Sequence, residues 1–332
     1  MKAVVMTAPG SPEVLQLQDL PSPELRSETD LLVRLYAAGI NPIDTKIRQR
    51  GLFYADALPA ILGCDGAGVV VAAGSRVQRF RVGDPVYFCN GGLGGQPGTY
   101  AEYAVIDERF VAHKPRSLSF AEAAAVPLVL ITAWEALHDR GRIQSGQRVL
   151  IQAGAGGVGH IAIQLAKLAG ATVCTTVSSP EKAKLVQQFG ADQVILYPND
   201  TVVETVLDWS GGQGVDLAFN TVSGTLSQSF AATKIYGDVV TLLAPDPDTD
   251  WKIARDRNLR LSYELMLTPM LQGLTQAQQA QAQILQRCAD LFDRGDLRLQ
   301  LQQTLPLAAA AQAHSLLESG SMTGKLALEI AE

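Results

Sequence analysis

The run Gly154-Ala155-Gly156-Gly157-Val158-Gly159 sets three glycines at the spacing G-x-G-x-x-G. Alone it is a weak sign, since glycine-rich loops reach this spacing by chance. Its flanks give it chemical meaning. Val149-Leu150-Ile151 precedes it as a buried strand, and Ile161, Ile163, Leu165 and Leu168 follow at helical spacing. In that setting Gly154 permits a tight turn, Gly156 leaves bare backbone for a pyrophosphate to approach, and Gly159 lets helix and strand pack closely. The helix start adds free N–H groups and a partial positive charge. Together with Ala155, Gly157 and Val158, these residues suit the phosphates of a dinucleotide.

The second strand separates NAD from NADP. An NAD site wants an Asp or Glu about 20 residues on, to accept bonds from the ribose 2′-hydroxyl. No acidic residue lies between Arg140 and Pro180, and the strand ends in Ser178-Ser179-Pro180-Glu181-Lys182. Ser179 is expected to cap the next helix, with Pro180 in its first turn. Ser178 and Lys182 then face the ribose, where hydroxyl and ammonium suit a 2′-phosphate. The expected cofactor is NADPH. Tyr197, closing the third strand, either runs along the adenosine phosphate or is an edge aromatic. Asn220, Val222 and Ala244 end later strands, where a sheet of this kind opens its cofactor crevice.

The elements that would position these groups fall into two regions. Residues 1–120 show short apolar or alternating runs, Lys2–Met6, Leu31–Ala37, Gly68–Ala73, Pro85–Phe88 and Tyr100–Val105, parted by Pro, Gly and Asp. That is the pattern of a turn-rich β domain. Helical spacing begins at Phe120–Ala125, capped by Ser119, and at Ile131–Arg140. From Arg148 strands alternate with helices: Val149–Ala153, Thr172–Val177, Gln193–Leu196, Val215–Asn220 and Val239–Ala244, then Arg260–Leu267. The helices are Gly159–Ala169, Pro180–Phe189 and Thr201–Trp209. Such alternation predicts an α/β fold with a doubly wound parallel sheet. Gln272–Asp293 reads as one long helix, and Lys325–Ile330 as a strand returning to the first domain.

At 332 residues the chain suits two domains. A net charge of −6 disfavours nucleic acid or an anionic membrane as partner, since both need clustered Lys and Arg. Ala3–Met6 is too short an apolar run for a secretory signal, which points to the cytoplasm. The four cysteines, Cys64, Cys89, Cys174 and Cys288, form no Cys-x-x-Cys pair and no zinc-site spacing. Buried free thiols in a reducing compartment are expected.

With those motifs in view, the whole chain resembles the zinc-free quinone oxidoreductases, the ζ-crystallin group of the medium-chain dehydrogenase/reductase superfamily. The likeness runs through Ala37-Ala38-Gly39-Ile40-Asn41-Pro42-Ile43-Asp44, Gly63-Cys64-Asp65-Gly66-Ala67-Gly68 and Val82-Gly83-Asp84. It continues through Gly98-Thr99-Tyr100-Ala101-Glu102-Tyr103, the glycine run, Phe189-Gly190-Ala191-Asp192 and Thr323-Gly324-Lys325. The resemblance implies a GroES-like catalytic domain from residues 1–122 and 268–332, with a Rossmann domain over 123–267. It also implies a homodimer joined through Arg260–Leu267.

The same resemblance bears on metal. Zinc-using relatives carry Cys where this chain has Asn41 and His where it has Cys64, with a third ligand near Leu128. A lone Cys64 falls short of the three protein ligands a catalytic zinc needs. The expected chemistry is therefore metal-free hydride transfer to quinones. An alkenal or enone double-bond reductase shares every motif, and a non-catalytic, crystallin-like NADPH-binding protein is the reading from another class. Resemblance places Asn41 and Thr132 beside the nicotinamide, with Asn41 donating to the substrate oxygen. Asp44 fixes the loop through backbone bonds, and Tyr54 lines the pocket or delivers a proton. Lys325 substitutes in part for an arginine that clamps the cofactor phosphate in some bacterial members.

Overall fold

The alternation that begins at Arg148 builds a six-stranded sheet, in the order Gln193–Leu196, Thr172–Val177, Arg148–Ile151, Val215–Asn220, Thr233–Thr241 and Arg260–Tyr263. Every neighbouring pair is parallel. The chain enters at Arg148–Ile151, winds outward to one edge, returns beside its start and winds to the other. The reversal leaves a crevice beyond the carboxyl ends of Arg148–Ile151 and Val215–Asn220, the doubly wound Rossmann arrangement. Leu150, Cys174, Ile195, Ala218 and Val239 from successive strands pack with Val206 and Phe230 from the covering helices. Each large apolar side chain buried this way contributes about 1.5–3 kcal/mol.

This computed structural model describes residues 1–54, 57–197, 199–320 and 322–330. The sheet above belongs to a unit made of Val129–Met266 and Asp296–Gln300, and a second unit comprises Met1–Leu128, Leu267–Gly295 and Leu301–Glu332. The second unit is the GroES-like one. Its larger sheet runs Leu301–Pro306, Lys325–Glu329, Asp30–Ile40, Asp65–Ala73, Pro85–Cys89 and Val111–His113, with Tyr103–Asp107 also paired to Asp30–Ile40. Leu31, Val33, Leu35, Val70, Val86, Phe88 and Ile106 fill its core. A three-stranded sheet joins Leu15–Asp19, Lys2–Met6 and Ala60–Ile61. Lys325–Glu329 pairs antiparallel with Asp30–Ile40, setting Leu326 opposite Ile40. Among the described residues no helix is long and apolar enough to cross a membrane.

Several elements depart from the expected bounds, each for a local reason. The strand expected over Tyr100–Val105 starts at Tyr103, because Gly98, Thr99 and Tyr100 donate their N–H groups to Ile61, Gly63 and Leu62. The strand expected to reach Ala244 stops at Thr241, whose hydroxyl bonds both the carbonyl and the N–H of Leu243. Ala244 is thus an exposed residue beyond the strand. Arg260–Leu267 is strand only to Tyr263, since its neighbour ends at Thr241 and Leu267 opens the helix Thr268–Leu271. The long helix begins at Thr275, with Gly273 at φ 63° breaking it from Thr268–Leu271. Ile131–Arg140 divides into α-helix Pro127–Trp134 and a π-helical stretch Glu135–Arg140.

Candidate functional site

The turn after Arg148–Ile151 gives its glycines three separate reasons. The residue with positive φ is Ala153, at 50°, so Gly154 is not the left-handed residue of the turn. Gly154 is needed for space: a Cβ there would meet Thr175 Oγ1 at 2.1 Å. A Cβ on Gly159 would meet the Ala153 carbonyl at 2.3 Å, which enforces close packing of helix on strand. Gly156 is different, because its Cβ would meet only the Ala153 carbonyl, at 3.2 Å. Its missing side chain leaves open room. Helix Gly157–Leu168 starts directly after it, so the free N–H groups of Gly157, Val158 and Gly159 cluster at this point.

His160, fully buried, fixes the turn. Its Nδ1 lies 2.8 Å from the Gly156 carbonyl, and its Nε2 accepts from the Gln300 N–H at 3.3 Å. That pair of partners selects the neutral tautomer with the proton on Nδ1. Sequence reasoning passed over His160, although its place four residues after Gly156 on a helix is the spacing that lets a side chain reach back.

Ser179 caps helix Pro180–Gln188, accepting the Lys182 N–H at 3.3 Å, with Pro180 at the helix start. Ser178 is exposed and Lys182 half-buried beside it. Tyr197 and Val222 line one cleft of about 620 Å³ with Ala153, Thr176, Thr225 and Gln228. Tyr197 is 52% exposed, open to a planar ligand on its face. Asn220 is placed differently. It is buried, its Nδ2 donates to Gln152 Oε1 and Thr225 Oγ1, both at 2.8 Å, and its Oδ1 accepts from Thr241. Asn220 therefore holds the crevice floor together and faces no ligand directly.

In the GroES-like unit the polar residues converge on Asn41. The Asn41 N–H donates to Asp44 Oδ2 at 2.8 Å, which ties down the start of helix Pro42–Arg50. The Asn41 side chain donates to Asp65 Oδ2 at 2.9 Å, and its Oδ1 accepts from the Lys325 ammonium. That ammonium also donates to the Ile40 carbonyl at 2.7 Å. Asp65 Oδ1 receives the Leu128 N–H at 3.0 Å. Asn41, Asp44 and Asp65 are sealed from solvent, and Lys325 is 4% exposed. Burial raises Asp44 to about 7 and Asp65 to about 6, and burial lowers the Lys325 ammonium from its usual value despite both carboxyls.

Lys325 is thus not a phosphate clamp. Its side chain is enclosed by the Asn41 cluster and offers nothing to an anion at the surface. Asn41 likewise has one amide N–H committed to Asp65. Cys64 lies in the same cluster, fully buried. Its contact with Cys89 lowers the thiol's pKa, but burial together with Asp44 and Asp65 outweighs this and holds it above the ordinary value. Asp65 and Tyr100 stand in the motifs of the resemblance without a site role assigned to them, and His314 was not named by the sequence reading. The alternation of Asp65 with small residues in Gly63–Gly68 is the one signal that hid it in a strand.

Tyr54 is 40% exposed at the mouth of a cleft of about 520 Å³ in the same unit, shared with Asn90, Gly91, Gln96, Met270 and Gln278. Gly95 packs on its ring, where a Cβ would lie 3.2 Å away. Thr132 is buried on helix Pro127–Trp134. Among the described residues no group of three or more His, Cys, Asp and Glu side chains is arranged to hold a metal ion.

Comparison with known proteins agrees with this architecture. Residues 27–116 match the alcohol dehydrogenase GroES-like domain, and residues 189–328 match a family described as zinc-binding dehydrogenase. A quinone oxidoreductase of Pseudomonas aeruginosa is 35% identical over 330 residues, covering 98% of this chain and 99% of that protein. A 2-methylene-furan-3-one reductase of Solanum lycopersicum is 43% identical over 208 residues, 60% of this chain and 53% of that protein. The structure of the Escherichia coli quinone oxidoreductase complexed with NADPH superposes with a TM-score of 0.87 at 30% identity, covering 99% of this chain and 100% of that one.

Proposed function

The chain belongs to the medium-chain dehydrogenase/reductase superfamily, and from that premise we propose that it is an NADPH-dependent, metal-free reductase of quinones. The observation that carries the reading is the placement of the Lys325 ammonium on Asn41 Oδ1, beside the carboxyl of Asp65.

The residues at the zinc-ligand positions do not suit that ion. Asn41 turns its oxygen to an ammonium, which a metal at the same place would face as a like charge. Leu128 has no donor atom, which leaves Cys64 as a lone ligand where a catalytic zinc needs three. The fixed cation serves instead. An ammonium on Asn41 Oδ1 polarises the amide and strengthens its second N–H as a donor to an acceptor oxygen gaining charge, once the acceptor has opened the enclosure around Asn41. Asp65 orients that amide from the other side.

The glycine turn suits the pyrophosphate of NADPH: Gly156 keeps room for it, Gly157 to Gly159 offer N–H groups, and His160 fixes the loop. Ser178, Ser179 and Lys182 would hold the 2′-phosphate, with Tyr197 and Val222 along the adenosine. Thr132 would hold the carboxamide. When bound, NADPH supplies the hydride. Ala244 is carried as a rim residue of the crevice, and Tyr54 shapes the acceptor cleft. Two chains would pair through the open edge of Arg260–Tyr263, next to exposed Tyr263 and Leu265.

Steady-state oxidation of NADPH with phenanthrenequinone, benzoquinone and short α,β-unsaturated aldehydes tests this reading. Turnover of the quinones is expected. Turnover of the aldehydes alone reassigns the enzyme to enone reduction, for which the tomato relative stands as precedent. Tight NADPH binding without turnover of any acceptor identifies a non-catalytic binding protein.

A further inference from the structure

Hydride reduction leaves an anion. NADPH gives two electrons and one proton as hydride, and the acceptor then holds a negative charge on oxygen until one further proton arrives. The net change is NADPH, one proton and the acceptor to NADP⁺ and the dihydro product. Tyr54, the proton donor that the sequence offers, is 40% exposed at its own cleft, and nothing else assigned so far brings that proton to the enclosed Asn41.

A row of buried groups leads away from Asn41 within the GroES-like unit. Asp44 Oδ2, which receives the Asn41 N–H, lies 3.1 Å from the Tyr100 hydroxyl. The same hydroxyl lies 3.1 Å from His314 Nε2, on helix Ala310–Glu318. Arg48 stands one turn beyond Asp44 on helix Pro42–Arg50, is 1% exposed, and pairs with Glu318, whose side chain is 27% exposed. Four buried polar atoms along this row have no protein partner: Asp44 Oδ1, His314 Nδ1, Arg48 Nε and Arg48 Nη1. A single such atom costs about 1–3 kcal/mol when left dry. Four in one row give internal water the polar partners it would need there.

We propose that Asp44, Tyr100 and His314, extended by internal water at Arg48, form a proton-supply chain from the surface at Glu318 to the Asn41 end of the site. The inference rests on the reductase reading above. Asp44 gives up a proton from Oδ1, its unpartnered oxygen, and the reduced acceptor's oxyanion at Asn41 takes it as the new O–H of the dihydro product. It regains one at Oδ2 from the Tyr100 hydroxyl, which is refilled from His314 Nε2 as Nδ1 takes a proton from water. Each O–H or N–H bond broken is matched by one formed; the proton of Asp44 then sits on Oδ2 and that of His314 on Nδ1, and turning of the carboxyl O–H with return of the imidazole tautomer through water resets the chain.

The groups facing this row fit the task. Asp65, Cys64 and Lys325 face Asp44, and burial brings its carboxyl to about 7, where it exchanges protons near neutrality. Burial, with Arg48 adding to it, lowers His314 to about 3, so its imidazole stays neutral and passes protons between its two nitrogens. Burial raises the Tyr100 hydroxyl far above its usual value, so it relays a proton without ionising.

The test is kcat, KM for NADPH and the solvent deuterium isotope effect of Tyr100→Phe and His314→Gln, using a quinone that the unaltered enzyme turns over. Both variants are expected to lower kcat about 10- to 100-fold, leave KM for NADPH unchanged, and raise the solvent isotope effect as proton arrival becomes limiting. The thermal midpoint of each variant checks folding, and His314→Gln stands in if Tyr100→Phe does not fold. If folded variants keep the unaltered kcat and isotope effect, the chain is refuted while the reductase reading stands. If the unaltered enzyme reduces no acceptor, both fall.

Discussion

Lys325 stands opposite Asn41 because the strand Lys325–Glu329 pairs antiparallel with Asp30–Ile40, Leu326 against Ile40. The next position along the register carries the ammonium to the amide oxygen. Two residues 284 positions apart thereby share one enclosed charge site with Asp65. Removing one partner of such a buried pair leaves the other uncompensated, at a cost of about 3–5 kcal/mol. Lys325→Met is therefore expected to lower stability by that order and quinone turnover at least about 100-fold. Denaturant unfolding and steady-state kinetics measure the two. A variant with unchanged kcat would refute the role given to the ammonium.

The glycines of the turn are predicted to separate on substitution. Gly156→Ala meets only one carbonyl at 3.2 Å, so folding loses at most about 1 kcal/mol through weaker capping. NADPH affinity, however, drops sharply as the methyl fills the pyrophosphate's room. Gly159→Ala instead drives a Cβ to 2.3 Å from the Ala153 carbonyl and destabilises the unit itself. Calorimetric titration with NADPH beside thermal unfolding distinguishes the two effects. Equal loss of stability in both variants would contradict the assignment.

Lys182→Ala is expected to weaken NADPH about tenfold, or about 1.4 kcal/mol for one partly exposed charge-assisted bond, and NADH hardly at all. Matching losses for the two cofactors would place Lys182 away from the 2′-phosphate.

Asp44 makes stability depend on pH. Its folded value of about 7 lies above the ordinary 3.8, so the folded state holds a proton that the unfolded chain releases. Its contribution is intact below pH 4 and is lost as pH rises from there through 7. Asp44→Asn keeps the shape without the titration. Its stability relative to the unaltered protein should therefore increase across that window and level off above pH 7. Urea midpoints at pH 5 and pH 8 read the difference, and a constant offset would show that Asp44 does not titrate there.

Much of the Rossmann unit was legible because its signals are local: strand, glycine turn and helix are contiguous, and the absent acid before Pro180 can be counted. The Asn41 site was legible only in part. Asn41 and Asp44 are three positions apart in one motif, but Asp65 and Lys325 reach them through sheet register, which spacing along the chain does not encode. Lys325 was read as a surface cation because lysines are seldom enclosed. Likewise Ala244 was assigned to a strand by its apolar run, whereas the Thr241 hydroxyl ends that strand by bonding Leu243.

The open edge of Arg260–Tyr263 predicts an assembly. Light scattering should give twice the chain mass, and Tyr263→Lys with Leu265→Lys should halve it. A monomer before substitution would remove the proposed pairing.

The pairing of Lys325 with Asn41 also sets an order of events during synthesis. Asn41, Asp44 and Asp65 leave the ribosome first, and at about 5–20 residues per second Lys325 follows roughly 15–60 s later. Until then the nascent acids have no enclosed counter-ion and favour staying hydrated. Residues 129–266 need no later strand for their own sheet and can settle meanwhile. Enclosure of the charge site thus waits on the last strand of the chain: Asn41, Asp44 and Asp65 gain their buried ammonium only when Lys325–Glu329 pairs with Asp30–Ile40.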